Sequence, residues 1–219
     1  MTDETKIVTV QRKSLIGNPV CVGVGGFGIT TVCLGLYSIH ILPDAGMTVV
    51  LILAASYGGL IQWIAGFFAL AKGETFAGSF MTAYGAFWWS YVALLVYGVP
   101  HMTAAGGADA AGIAVGIYLV MWTLTTIGFW LVSFNTNGFV LATFTEFVIT
   151  LIVLDIGALG NIPIASLIGG YLVILLGLMG WYVVYAELIN ESAGRAVVPL
   201  FPFKNGPLMA RRPTPAEPF

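Results

Sequence analysis

The chain has 219 residues, of which 58% are hydrophobic and only 8% charged, with a mean hydropathy of +0.95 and a formal net charge of −2. No water-exposed globular surface carries so few charges, so the solvent around most of this chain is lipid. The balance also lacks the basic footprint of a nucleic-acid-binding protein.

The predicted fold class is all-α: a polytopic membrane protein with six transmembrane helices per protomer and both termini cytoplasmic. A crossing takes about 20 apolar residues to cover a hydrocarbon core of about 30 Å. Lipid forces each crossing to be helical, because it offers a bare amide or carbonyl no partner. Runs of this kind lie near 19–41, 47–71, 78–99, 111–133, 139–160 and 163–189. They divide the chain into a cytoplasmic N-terminal segment (1–18), a transmembrane domain (19–190) and a cytoplasmic tail (191–219). The first segment lacks the order of charged, apolar and small residues that a cleavable signal shows. The proline-rich tail from Pro199 is expected to be mostly disordered.

Asn18-Pro19 is a helix start, with asparagine capping free amides and proline in the first turn where no amide is needed. In the first span, residues 23–28 satisfy G-x-G-x-x-G, but no strand precedes them and a helix already runs through them. Close helix packing is the better reading, as it is for Gly58, Gly59 and Gly66 in the second span and Gly112 and Gly116 in the fourth. Cys21 and Cys33 are about 120° apart around the first helix and cannot pair.

No span holds Lys, Arg or His away from its ends, so an anion path would be lined by neutral donors: Thr30 and Thr31 in the first span, Gln62 in the second, Tyr84 in the third, and Asn161 before the sixth. Phe27, Thr30, Thr31 and Leu34 share one helical face, and so do Tyr84, Trp88 and Tyr91. Each of these reads equally as packing or as pore lining. Asn18 and Asn161 head helices whose positive dipole ends would suit a carboxylate, or are simply well-made turns.

Glu146 and Asp155 lie inside the fifth span, where a central charge costs about 2.5–3.5 kcal/mol on insertion scales. Nine residues apart places them on opposite faces, and they are the candidates for proton handling. Glu187, Glu191 and Arg195 follow in steps of four and read as an ordinary charged face. All eight Lys and Arg residues fall in the termini or the 72–74 turn, whereas Asp44, Asp109, His40 and His101 fall on the other side. That asymmetry orients the termini inward. Histidines at the outer rim and acids in the span predict transport that rises as external pH falls.

These residues also resemble the acetate uptake transporter family, whose bacterial members include succinate-acetate permeases. The resemblance runs through Asn18-Pro19, Gly26-Phe27-Gly28-Ile29-Thr30-Thr31, Tyr57-Gly58-Gly59, Gln62, Tyr84-Gly85 with Phe87-Trp88, Gly160-Asn161 and Glu187-Leu188-Ile189-Asn190-Glu191. It implies a homohexamer in a cytoplasmic membrane, with a pore for acetate, and succinate, through each protomer and no bound cofactor or metal. It further implies a constriction at Phe27, Tyr84 and Leu151, the last only with a one-residue offset, since a gapless alignment lands on Thr150. Glu146 and Asp155 depart from the family pattern, which expects apolar residues there. The competing reading within transport is a urea or short-amide channel of similar six-helix hexameric design. A membrane enzyme is disfavoured, because no span holds a Cys/His/Asp cluster or a nucleophile-base pair.

Overall fold

The computed structural model describes residues 15–203. Lys6, Arg12, Lys13, Lys204, Arg211 and Arg212, which carry most of the charge argument for orientation, lie outside the described residues. Asn18 opens α1 (Pro19–Ser38), its side-chain oxygen accepting from Val20 N at 3.1 Å with Pro19 in the first turn. α2 (Met47–Ala55) passes through a π-helical stretch, Ser56–Ile61, into α3 (Gln62–Ala71). α4 (Thr75–Ala93) passes through a second, Leu94–Gly98, into α5 (Val99–Ser133). α6 (Gly138–Leu159) and α7 (Pro163–Ala193) complete the bundle. Among the described residues no strand forms beyond an isolated bridge between Asn137 and Pro202.

Five helical stretches are long and apolar enough to cross a membrane, one of them the 59-residue run Thr75–Ser133. At 1.5 Å per residue that run far exceeds a hydrocarbon core of about 30 Å, and it is folded back on itself. Tyr84 is hydrogen-bonded through its hydroxyl to Thr126, and Ser90 to the Tyr118 hydroxyl at 2.7 Å, so α4 and the later part of α5 run antiparallel. The kink is at Gly107, whose φ of 85° and ψ of 171° are open essentially to glycine alone. Sequence predicts a connection between the runs ending near 99 and starting near 111, yet helix fills it apart from Gly107. Pro100 is tolerated because it sits in the first turn of α5, directly after the widened π-helical turns.

α1 is the hub, packed most extensively on α7. A Cβ on Gly177 would stand 2.9 Å from both the Gly28 oxygen and the Val32 nitrogen, and one on Gly35 would stand 2.8 Å from the Ile174 nitrogen. Gly28 therefore plays the close-packing role the sequence assigns it, with Gly35 and Gly177 as partners in the same seam, whereas Gly112, given the same role from sequence, has nothing within 4 Å of where its Cβ would stand. Two details differ from expectation. Asn161 does not cap α7: it takes a left-handed φ of 49°, and Ile162 stands at the N-cap with no side-chain bond. Asparagine tolerates that conformation better than most residues. The first part of the tail is also held in place. Asn190 accepts from Val197 N and Val198 N at 2.6 and 2.8 Å, Tyr182 donates to Pro199 O at 2.9 Å, and Gly138 N donates to Phe201 O at 2.8 Å. Residues 199–203 thus strap the end of α7 to the start of α6.

Candidate functional site

Faces of α1, α4, α5, α6 and α7 converge inside the bundle. On α1 the inward positions are Val20, Val24, Phe27, Thr31, Leu34 and Ser38, spaced by three and four as one helical stripe requires. The stripe on α6 is Thr143, Phe147, Thr150, Leu151 and Leu154, and that on α7 is Val173, Leu176, Gly180, Val183 and Glu187. α4 supplies Phe80, Tyr84 and Trp88. The faces enclose two cavities, of about 160 Å³ near the tail and about 170 Å³ near the α1–α2 turn. Each is ample for water or a small solute, since one water needs roughly 10–15 Å³.

Phe27, Phe147 and Leu176 line both cavities and form the waist between them. The ring centroids are 5.5 Å apart for Phe27 and Phe147, 6.0 Å for Phe27 and Tyr84, and 4.9 Å for Tyr84 and Phe147. Rings at these separations are in direct contact. The structure therefore brings the predicted Phe27 and Tyr84 together, with Tyr84 on the turn side of the waist. Leu151 and Thr150 are both buried in the wall of the turn-side cavity, and Phe147 is the α6 residue that meets the two rings.

The other predicted residues scatter. Thr31 lines the turn-side cavity, and its hydroxyl has no partner. Thr30 lines neither cavity; its hydroxyl donates to Gly26 O at 2.8 Å and it packs on Gly58. Gln62 is fully buried with both amide atoms unpaired, but α2 and α3 contribute nothing to either cavity. Asn161, His40 and His101 are exposed and line neither cavity. Asn18 donates its amide to Glu187 Oε2 at 3.1 Å, and Glu187 lines the tail-side cavity instead of belonging to the plain charged face expected for it. Glu146 accepts from the Thr150 hydroxyl at 2.6 Å, while Asp155 accepts from Thr123 of α5 at 2.7 Å, so the two acids have separate surroundings.

Sequence reasoning misses Phe147, Leu176 and Glu187 as site residues, whereas Trp88, on the Tyr84 face, reads as packing or pore lining alike. Extending the α1 stripe to matching stripes on α6 and α7 would have found the three. Among the described residues no group of three His, Cys, Asp or Glu side chains is placed to hold a metal.

A lipid-embedded bundle whose inner cavities meet at an aromatic waist defines a membrane transport protein. The GPR1/FUN34/yaaH family model matches residues 3–205, and the chain belongs to that family. It is 31% identical over 189 residues to the succinate-acetate/proton symporter SatP of Escherichia coli K12, covering 84% of this chain and 95% of that protein. It is 32% identical over 203 residues to an uncharacterized protein of Methanothermobacter thermautotrophicus, covering 90% and 95%. A solved structure of the bacterial acetate channel SatP superposes with a TM-score of 0.75 at 28% identity, over 84% of this chain and 99% of that one.

Proposed function

We propose that this protein conducts acetate across a cytoplasmic membrane, through each protomer, from one cavity to the other by way of the Phe27, Tyr84 and Phe147 waist. The observation that carries this is the meeting of two cavities at the residues shared between them, in a chain similar to an acetate channel along nearly its whole length. The walls carry hydroxyls, the indoles of Trp88 and Trp122 and the Glu187 carboxylate but no Lys, Arg or His, so a carboxylate would bind weakly and leave quickly. Bulky apolar rings exclude hydrated ions by emptying the waist of water, and Leu151 adds bulk on the turn side.

The finer reading is six crossings with both termini cytoplasmic, supported by the fold-back at Gly107 and by Lys72 and Arg195 lying at the tail end. It includes passage of succinate, a homohexamer, and proton coupling with Glu146 and Asp155 as the in-span acids available for it. The urea-channel reading draws no support from the relatives.

The test is uptake of labelled acetate and labelled urea by proteoliposomes, with protein-free vesicles subtracted. We expect acetate uptake to exceed urea uptake clearly and to accelerate when the outside is made acidic. Equal or greater urea flux contradicts the acetate reading. Protein-dependent acetate uptake that ignores the gradient removes proton coupling and leaves the acetate reading standing.

A further inference from the structure

Two side chains in the wall of the turn-side cavity carry buried donors that meet nothing: the Thr31 hydroxyl and the Trp88 indole N–H. The residues are 3% and 1% exposed, so bulk water does not satisfy them. An indole N–H can only donate, and an unpaired buried donor costs free energy that an acceptor oxygen would return. The same wall includes Thr150, whose hydroxyl donates to Glu146 Oε1 at 2.6 Å, while Glu146 Oε2 is buried without a partner.

We propose that the turn-side cavity is a carboxylate subsite in which Trp88 and Thr31 hold the substrate oxygens, and in which the proton on Glu146 decides whether Thr150 adds a third donor. The proposal rests on the acetate reading above. With Glu146 charged, the single Thr150 hydrogen is committed to the glutamate, and only lone pairs face the cavity, which repel a carboxylate. When Glu146 takes up a proton from water, its own O–H donates to the Thr150 oxygen. The Thr150 hydrogen is then free to turn toward the cavity. Proton and carboxylate therefore bind with mutual assistance, the thermodynamic requirement for moving together. Glu146 acts here as a positioning residue, since it lines neither cavity. Among the described residues its hydrogen bond comes from the Thr150 hydroxyl; of the acids and histidine of the adjoining α5 and α7, His101, Glu187 and Glu191 lie toward helix ends and Asp109 lies just past the Gly107 kink, and Asp155 is roughly two and a half turns along α6. The apolar walls at Leu34, Leu95, Val115 and Leu119 suit a short methyl or methylene tail, so the ligand class is a small monocarboxylate.

The test is an acetate titration of the full-length protein in nanodiscs with tryptophan indoles labelled with nitrogen-15, the Trp88 resonance being assigned from its loss in Trp88→Phe. In mildly acidic buffer the Trp88 N–H signal should move downfield saturably with acetate and respond at least about tenfold more weakly to acetamide, whose uncharged carbonyl is the poorer acceptor. In neutral buffer the apparent affinity should be about tenfold weaker, the scale of one hydrogen bond to a charged acceptor. Glu146→Gln, whose amide donates to Thr150 as the protonated acid does, should bind tightly in both buffers. Thr150→Val should bind weakly in both, and Thr31→Val should weaken binding without changing its pH dependence. A still Trp88 signal in protein that takes up acetate overturns the subsite, and a wild-type pH dependence in Glu146→Gln overturns the role of Glu146. If wild-type vesicles take up no acetate, it is the transport reading that fails.

Discussion

Phe27→Ala is expected to change which acids pass, with much less effect on whether acetate does. Phe27 lines both cavities and touches Phe80, Tyr84 and Phe147, so removing its ring joins the cavities into one wider passage. Acetate already passes the intact waist in this account and should keep a rate within about twofold. A longer acid such as butyrate should gain about tenfold relative to acetate, the discrimination that one or two methylenes command in an apolar site. Phe147→Ala should behave alike. Leu151→Ala, in the wall of the turn-side cavity alone, should shift the ratio less. Aromatic truncation in a packed core costs about 3–5 kcal/mol, so folding must be checked first by size-exclusion elution, with Phe27→Leu as the milder variant. Well-folded Phe27→Ala protein with the wild-type butyrate-to-acetate ratio would move the selecting residues elsewhere.

Gly177→Val is expected to have the largest effect on stability. A Cβ there stands 2.9 Å from the backbone of Gly28 and of Val32, and backbone cannot rotate aside as a side chain can. α1 and α7 would have to separate along their length, leaving the Phe27 face of α1 without its support. Overpacking commonly costs about 1–3 kcal/mol. Each kcal/mol lowers the melting point of a chain of this size by about 2–4 °C, so we expect a fall of about 5–10 °C in detergent and a poor yield. Gly112→Val is the matched control, because nothing lies within 4 Å of a Cβ added there. Equal melting points for the two variants would mean that the α1–α7 contact is not a main support of the bundle.

The helices were legible because lipid leaves the chain few choices. Apolar runs near the right length appear as helices at nearly the expected positions, and the glycine stripe of α1 marks where another backbone comes close. The junction of α4 and α5 was not legible. Gly98, Pro100, Gly106 and Gly107 all look like breakers, and only the local register shows that Gly107 alone leaves helical geometry. Within the site, Phe27 and Tyr84 stood out through neighbouring motif residues, whereas Phe147 and Leu176 sit in uniformly apolar helices with nothing local to separate a waist residue from a lipid-facing one. Thr30 and Thr31 show the same limit from the other side. Adjacent in sequence and chemically identical, they part because one turns to Gly58 and the other to the cavity. Glu187 looked solvated because it steps regularly with Glu191 and Arg195, and only the long-range approach of Asn18 reveals its place on the tail-side cavity.

The most direct test of the path is thiol modification at the waist. Leu176 lines both cavities, and the native Cys21 and Cys33, which line neither, can be replaced by alanine to give a silent background. In proteoliposomes of the Leu176→Cys variant, acetate uptake should be near wild type before treatment. After a small methanethiosulfonate reagent has reacted, uptake should fall nearly to that of empty vesicles, and excess acetate should slow the reaction. Complete modification of the Leu176→Cys thiol with undiminished acetate uptake would contradict a path through the waist.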